Sequence, residues 1–112
     1  MPMRYFFGST RVNEQEKEYL TEKVLRCKKL LSNYSKQELS VEVEVEQDKK
    51  SFWRVEMMIR TPHELFRVDK RDGDFFKAVD LVSDVLTEQI RRSREKIRDR
   101  QRRKEKLAKV RL

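Results

Sequence analysis

Residues 39–60, LSVEVEVEQDKKSFWRVEMMIR, decide the fold. Leu39, Val41, Val43 and Val45 alternate with Ser40, Glu42, Glu44 and Glu46, a period of two that puts apolar side chains on one strand face and carboxylates on the other. Gln47 to Ser51 forms a polar turn. From Phe52 to Arg60 the alternation returns, with Trp53, Val55, Met57 and Ile59 on one side and Arg54, Glu56, Met58 and Arg60 on the other. Two such runs joined by a short polar turn are an antiparallel hairpin with one core face. Glu42, Glu44 and Glu46 are placed to pair with Arg54 and Arg60 across the strands, each pair contributing about 0.2–1 kcal/mol.

Downstream, Thr61-Pro62-His63-Glu64 is a second turn, and Leu65 to Val68 is a short fourth strand at a sheet edge. Arg71-Asp72-Gly73-Asp74 then leads into a final helix, with Asp72 or Asp74 as N-cap and both carboxylates favoured by the helix dipole. Phe75, Val79, Val82, Leu86 and Ile90 draw one stripe down that helix, last touched at Ile97.

Upstream, Met3 to Phe7 reads as a first strand closed by a Gly8-Ser9 turn. Asn13 and Glu16 are spaced as a capping box, so a helix begins there. Its buried face is Leu20, Val24, Cys27, Leu31 and Tyr34, and Asn33-Tyr34-Ser35 ends it. The order is strand, helix, three strands, helix. A crossover through the first helix makes strands one and two parallel, and strands two to four form an antiparallel meander. The expected class is α+β, β-α-β-β-β-α, a four-stranded mixed sheet with two helices packed on one face. The other face, lined with glutamates, is left to water.

Charge divides the chain unevenly. From Arg91 to Leu112 twelve Lys/Arg stand against three Asp/Glu, a surplus of nine, while the whole chain carries +8, so residues 1–90 sum to −1. Residues 1–97 are therefore expected to form one domain, and residues 98–112 a basic extension, helical or disordered. With 43% charged and 37% hydrophobic residues, the 112-residue chain has a thin core of at most two layers. A sequence pI near 9.8 points to nucleic acid as partner, ahead of an anionic membrane surface. No apolar run approaches the roughly 18 residues of a membrane span, and MPMRYFFGST lacks a signal-peptide pattern. A reduced cytoplasmic setting is expected for a chain with one cysteine.

Catalytic and metal-binding chemistry find little support. His63 stands beside a proline turn, and Cys27 lies on the buried stripe of the first helix. Asp69, Asp72, Asp74 and Asp80 lack calcium-loop spacing, so helix capping and solubility account for them. No enzyme activity, cofactor, metal or small-molecule substrate is expected. Trp53 and the Met57-Met58 pair follow strand alternation and belong to the sheet rather than to a base-stacking platform. The first helix exposes Lys23, Arg26 and Lys29. With both helices on one sheet face, these adjoin the cations of the last helix and form one basic surface suited to phosphate contacts.

The chain resembles the ribosome hibernation-promoting factor family, which includes protein Y, over nearly all of residues 3–97. The resemblance is carried by the opening strand with Gly8 and by residues 13–30, NEQEKEYLTEKVLRCKKL, where Tyr19, Lys23, Arg26 and Lys29 stand at the family's tyrosine and lysines. It is carried further by residues 74–92, DFFKAVDLVSDVLTEQIRR, which match the family pattern at Asp74, Ala78, Val79, Asp80, Leu86, Gln89, Ile90, Arg91 and Arg92. The resemblance implies a fold similar to a double-stranded-RNA-binding domain. It also implies binding to the small ribosomal subunit, between head and platform, over rRNA that messenger and transfer RNA would otherwise cover. Translation then stops and idle ribosomes are protected under stress and in stationary phase.

The implied contacts are Lys23, Arg26, Lys29, Arg91 and Arg92; Lys77, Arg94 and Lys96 complete the candidate RNA-binding set. Val85 replaces a frequent Lys, Glu88 a usual Arg, and Thr61-Pro62-His63 a Leu-Pro-Gly-like turn; the arm from Arg91 onward is expected to compensate. Ending at Leu112, the chain is expected to be a short form without the C-terminal dimerisation domain of long members, and monomeric when free. The alternative is a generic structured-RNA-binding module acting off the ribosome, reading A-form shape.

Overall fold

The computed structural model describes residues 3–8 and 10–110. Ser9 of the expected exit turn lies outside the described residues, as do Met1, Pro2, Arg111 and Leu112. The elements are β1 (Met3–Phe6), α1 (Glu14–Lys29), β2 (Ser40–Gln47), β3 (Trp53–Arg60), β4 (Leu65–Asp72) and α2 (Phe75–Val110). The sheet order is β1-β2-β3-β4, with β1 and β2 parallel and the other neighbours antiparallel. This is the mixed α+β architecture expected from the alternating runs.

Register brings the core face together: Val41 lies opposite Ile59, Val43 opposite Met57 and Val45 opposite Val55. All six are buried, as are Val79, Val82, Leu86 and Ile90 of α2 and Leu20, Val24 and Cys27 of α1. Each such aliphatic side chain contributes about 1.5–3 kcal/mol relative to exposure. Trp53 is half-buried and meets Phe75 edge-on at 5.2 Å, so it closes the core where α2 begins. The capping box forms: Glu16 N–H donates to Asn13 Oδ1 at 2.8 Å, and Asn13 N–H donates to Glu16 Oε1 at 3.0 Å. At α2 the cap is Asp74, whose Oδ1 accepts from Phe76 N–H, while Asp72 Oδ2 accepts from Asp74 N–H.

Two boundaries depart from the sequence reading by more than one residue. α1 stops at Lys29, four residues before Asn33, although Leu31 beyond it is still buried. The chain leaves the helix through tight turns, with Leu30 N–H on Cys27 C=O, Leu31 N–H on Lys28 C=O and Tyr34 N–H on Leu31 C=O. These carry the apolar stripe past the helix end. β4 runs to Asp72 rather than Val68, because β3 offers eight residues to pair and its backbone groups need partners. Val55, Arg54 and Trp53 accordingly face Lys70, Arg71 and Asp72.

On the open sheet face, Arg54 pairs with Glu44 and Glu46, two of the three glutamates it was expected to share with Arg60, while neither Glu42 nor Arg60 takes an ion pair among the described residues. The Arg54 guanidinium lies 3.2 Å from Glu44, 3.4 Å from Glu56, 3.5 Å from Asp69 and 3.6 Å from Glu46. Arg60 sits opposite Ser40, one row beyond the carboxylates. The crowding lifts the Glu44 carboxyl above the usual range, first through its hydrogen bond with Glu46 and then through burial, against the pull of Arg54.

α2 has 36 residues, about 54 Å at 1.5 Å per residue. That accounts for most of the molecule's 65 Å long axis. The radius of gyration is 17.4 Å, against about 13 Å for a compact chain of this length. The excess is the far half of α2, where every residue from Glu95 to Ala108 is exposed.

Candidate nucleic-acid interface

The two helices lie side by side, and five contacts fix their relative rotation. Cys27 Sγ sits 3.9 Å from Ser83 Oγ and 3.7 Å from Thr87 Oγ1, so this buried thiol is an inter-helix packing group. Tyr19 donates its hydroxyl to Asp80 Oδ1. Lys23 Nζ lies 3.4 Å from the same carboxylate oxygen and 5.3 Å from the Tyr19 ring centroid. At the other end of α1, Arg94 donates to the Leu30 carbonyl, placing a cation on the helix C-terminus where the dipole favours it. His63 lies beside Tyr34, with ring centroids 6.4 Å apart.

These contacts sort the candidate RNA-binding residues. Lys23 is held between Tyr19 and Asp80, and its side chain is 17% exposed. Arg26 is open, 62% exposed, and lies 3.7 Å from Glu22 on its own helix. Lys29, Lys77, Arg91 and Lys96 are exposed. Arg92 is exposed but donates to Glu88 Oε1 at 3.1 Å. Arg94 is half-buried and committed to Leu30. At 100° per residue, Arg91 falls on the α1 flank of α2, whereas Arg92 and Lys96 fall on the other flank, where they border the same surface depression as Glu64.

Acid also reaches this surface. Asp80, Asp84 and Glu88 recur every four residues on α2, and from Phe75 to Ile90 only Lys77 opposes them, a net −2. The domain's helical face is therefore mixed in sign, and cationic excess begins at Arg91. Asp80 has a further effect on Tyr19. Its hydrogen bond, then burial, then its charge push the phenol up from 10.0 to about 12, against Arg26. Tyr19 and Asp80 thus hold Lys23 in place, a role the sequence does not announce because it needs side chains 61 residues apart to meet. The exposed cations beyond Lys96, beginning with Arg98 and Arg102, extend the candidate set along the same helix.

Residues 8–98 match the family model for Sigma 54 modulation protein / S30EA ribosomal protein. The chain belongs to this family. Its members are ribosome-associated modulation factors, the hibernation-promoting group that the sequence resembles. Among solved structures, the chain is similar to the N-terminal domain of protein Y from Thermus thermophilus, at 25% identity and a TM-score of 0.67 over 82% of this chain and 98% of that one. It shares its fold with a ribosomal subunit interface protein from Coxiella burnetii, at 17% identity and a TM-score of 0.69 over 85% of this chain and 99% of that one. No helix among the described residues is long and apolar enough to cross a membrane.

Proposed function

We propose that this protein is a cytoplasmic, non-enzymatic hibernation factor that binds small-subunit rRNA in the cleft used by transfer and messenger RNA and stops translation by occupying it. The observation that carries this reading is α2. It completes the core of a domain of the family fold, then leaves that core after Ile90 as an exposed helix in a segment with a surplus of nine positive charges. A rigid cationic rod of this kind meets phosphates through counterion release and holds register without reading bases. The compact domain supplies the bulk that blocks the cleft. Lys29, Lys77, Arg91 and Lys96 contact phosphate directly; Arg26 and Arg92 do so by exchanging Glu22 and Glu88 for phosphate; Lys23 acts from a fixed position; Arg94 holds the root of the rod.

Sucrose-gradient sedimentation of the protein with ribosomes tests the reading. Co-migration with small subunits or whole ribosomes at low salt, lost as salt rises, is the expected result. Protein remaining at the top of a low-salt gradient would sink it, and binding to free structured RNA under those conditions would leave the off-ribosome module as the function.

A further inference from the structure

A cavity of about 160 Å³ opens where α2 leaves the core, between α2, the α1–β2 connection and the β3–β4 turn. The phosphate contacts above make no use of it. Its volume falls well short of the roughly 300–1,000 Å³ of a drug-sized site. It suits one planar ring. Leu31, Phe66 and Ile97 line it with apolar groups and Tyr34 with a ring, beside Asn33 and Arg94, whose guanidinium is committed to the Leu30 carbonyl. Glu64 borders it with its carboxylate fixed, because Ser93 Oγ lies 2.6 Å from each oxygen. A carboxylate has about four acceptor sites, so Glu64 keeps capacity for another donor. Arg98 is exposed at the rim and takes no ion pair among the described residues.

We propose that this cavity receives one unpaired guanine of an RNA strand, a reading that rests on the RNA-binding function above and adds base selectivity to it. Guanine presents two adjacent donors, N1–H and the N2 amine, which match a fixed carboxylate. Adenine turns a ring acceptor toward the same oxygens. The apolar lining and Tyr34 hold the ring, as aromatic and apolar surfaces do for unstacked bases. Arg98 meets the phosphate of that nucleotide. The base belongs to a strand rather than to a free nucleotide because the cavity lies at the root of the basic helix. Arg102 and Lys106 follow Arg98 at successive turns and continue the phosphate track away from the rim.

NMR titration of the whole chain tests this, reading backbone amide shifts on addition of GMP, AMP, inorganic phosphate, and the single-stranded tetranucleotides UUGU and UUAU. GMP is expected to move amides around Leu31, Tyr34, Glu64 and Ser93, with phosphate and AMP effects confined to the basic helix. UUGU is expected to bind roughly tenfold or more tightly than UUAU, the scale of one bidentate base contact, and more tightly than GMP. Glu64→Gln should erase the preference for guanine while leaving the rest of the spectrum in place. The base series on the unaltered chain stands without that variant. Equal binding of UUGU and UUAU, or cavity shifts from phosphate alone, overturns the proposal; GMP binding as tightly as UUGU overturns its strand-borne form. Failure to co-migrate with ribosomes would instead strike the parent reading, whatever these titrations give.

Discussion

Removing the charge of Glu88 should strengthen RNA binding, and the size of the gain follows from the ion pair that the residue makes. Glu88 Oε1 accepts from Arg92 Nε at 3.1 Å, and the two side chains are 53% and 73% exposed. An exposed pair one helical turn apart contributes only a few tenths of a kcal/mol to folding, yet it occupies a guanidinium on the proposed interface. Glu88→Gln frees Arg92 for one phosphate. At about −0.8 in log–log slope per contact, one phosphate is worth about 4- to 5-fold in affinity at 0.15 M salt. Glu88→Arg adds a second cation and a ceiling of about 20-fold. Asp84, one turn back, competes for the new guanidinium, so the gain falls between these values.

Fluorescence anisotropy of labelled protein with purified small subunits, run from 50 to 200 mM KCl, separates this account from others. Two added contacts make the loss of affinity over that range about 9-fold larger than in the parent chain, and one makes it about 3-fold larger. Circular dichroism melts should differ by no more than a few degrees. Unchanged affinity in both variants would show that Arg92 meets no phosphate. A gain without a steeper salt slope would refute counterion release as its origin.

Truncation after Ile97 removes eight Lys/Arg and two Asp/Glu; ribosome affinity and salt slope should both fall while the melting temperature holds, since the last buried side chain among the described residues is Ile90. Unchanged binding would make the arm mere solubilising charge. Leu86→Ala empties a fully buried site under α2 and should cost about 2–5 kcal/mol by urea denaturation; a loss under 1 kcal/mol would contradict the packing described. Ultraviolet titration should find one of the three tyrosines ionising only near pH 12, and Tyr19→Phe should remove that phase. The folded chain holds this proton more tightly than the unfolded chain. Its contribution is therefore whole below pH 10 and is lost as pH rises toward 12, so the variant should show a flatter alkaline limb in stability.

Much of the fold is legible because period is a local property. Val41, Val43 and Val45 announce a strand face without reference to any other segment, and Phe75, Val79, Val82, Leu86 and Ile90 do the same for a helix. What escapes is whatever a partner imposes. Lys70, Arg71 and Asp72 look like loop until β3 claims their backbone groups, and Leu31 looks helical because tight turns happen to keep it in phase. Arg54 and Arg60 are equivalent in the alternation. Only the register, which sets Arg60 against Ser40, makes Arg54 the hub for four carboxylates.

The same distinction sorts the interface. Glu88 and Arg92 stand four apart, so their pairing could be read from spacing, and it bears directly on how many cations are available. The grip of Asp80 on Lys23 and Tyr19, and that of Arg94 on Leu30, depend on the rotation of α2 against α1, which no local pattern specifies. Lys23 and Arg94 thus become anchored as the helices pack, while Lys29, Lys77 and Arg91 stay exposed. Arg98, Arg100, Arg102, Arg103, Lys104 and Lys106, beyond Ile97, are exposed and take no ion pair among the described residues. Packing therefore divides labour along one helix. Where α2 has partners, Asp80 and Arg94 are spent on orientation, and where it has none the exposed cations remain for the proposed phosphate contacts. Affinity should consequently follow the arm, and the choice of site the domain and the cavity at the arm's root.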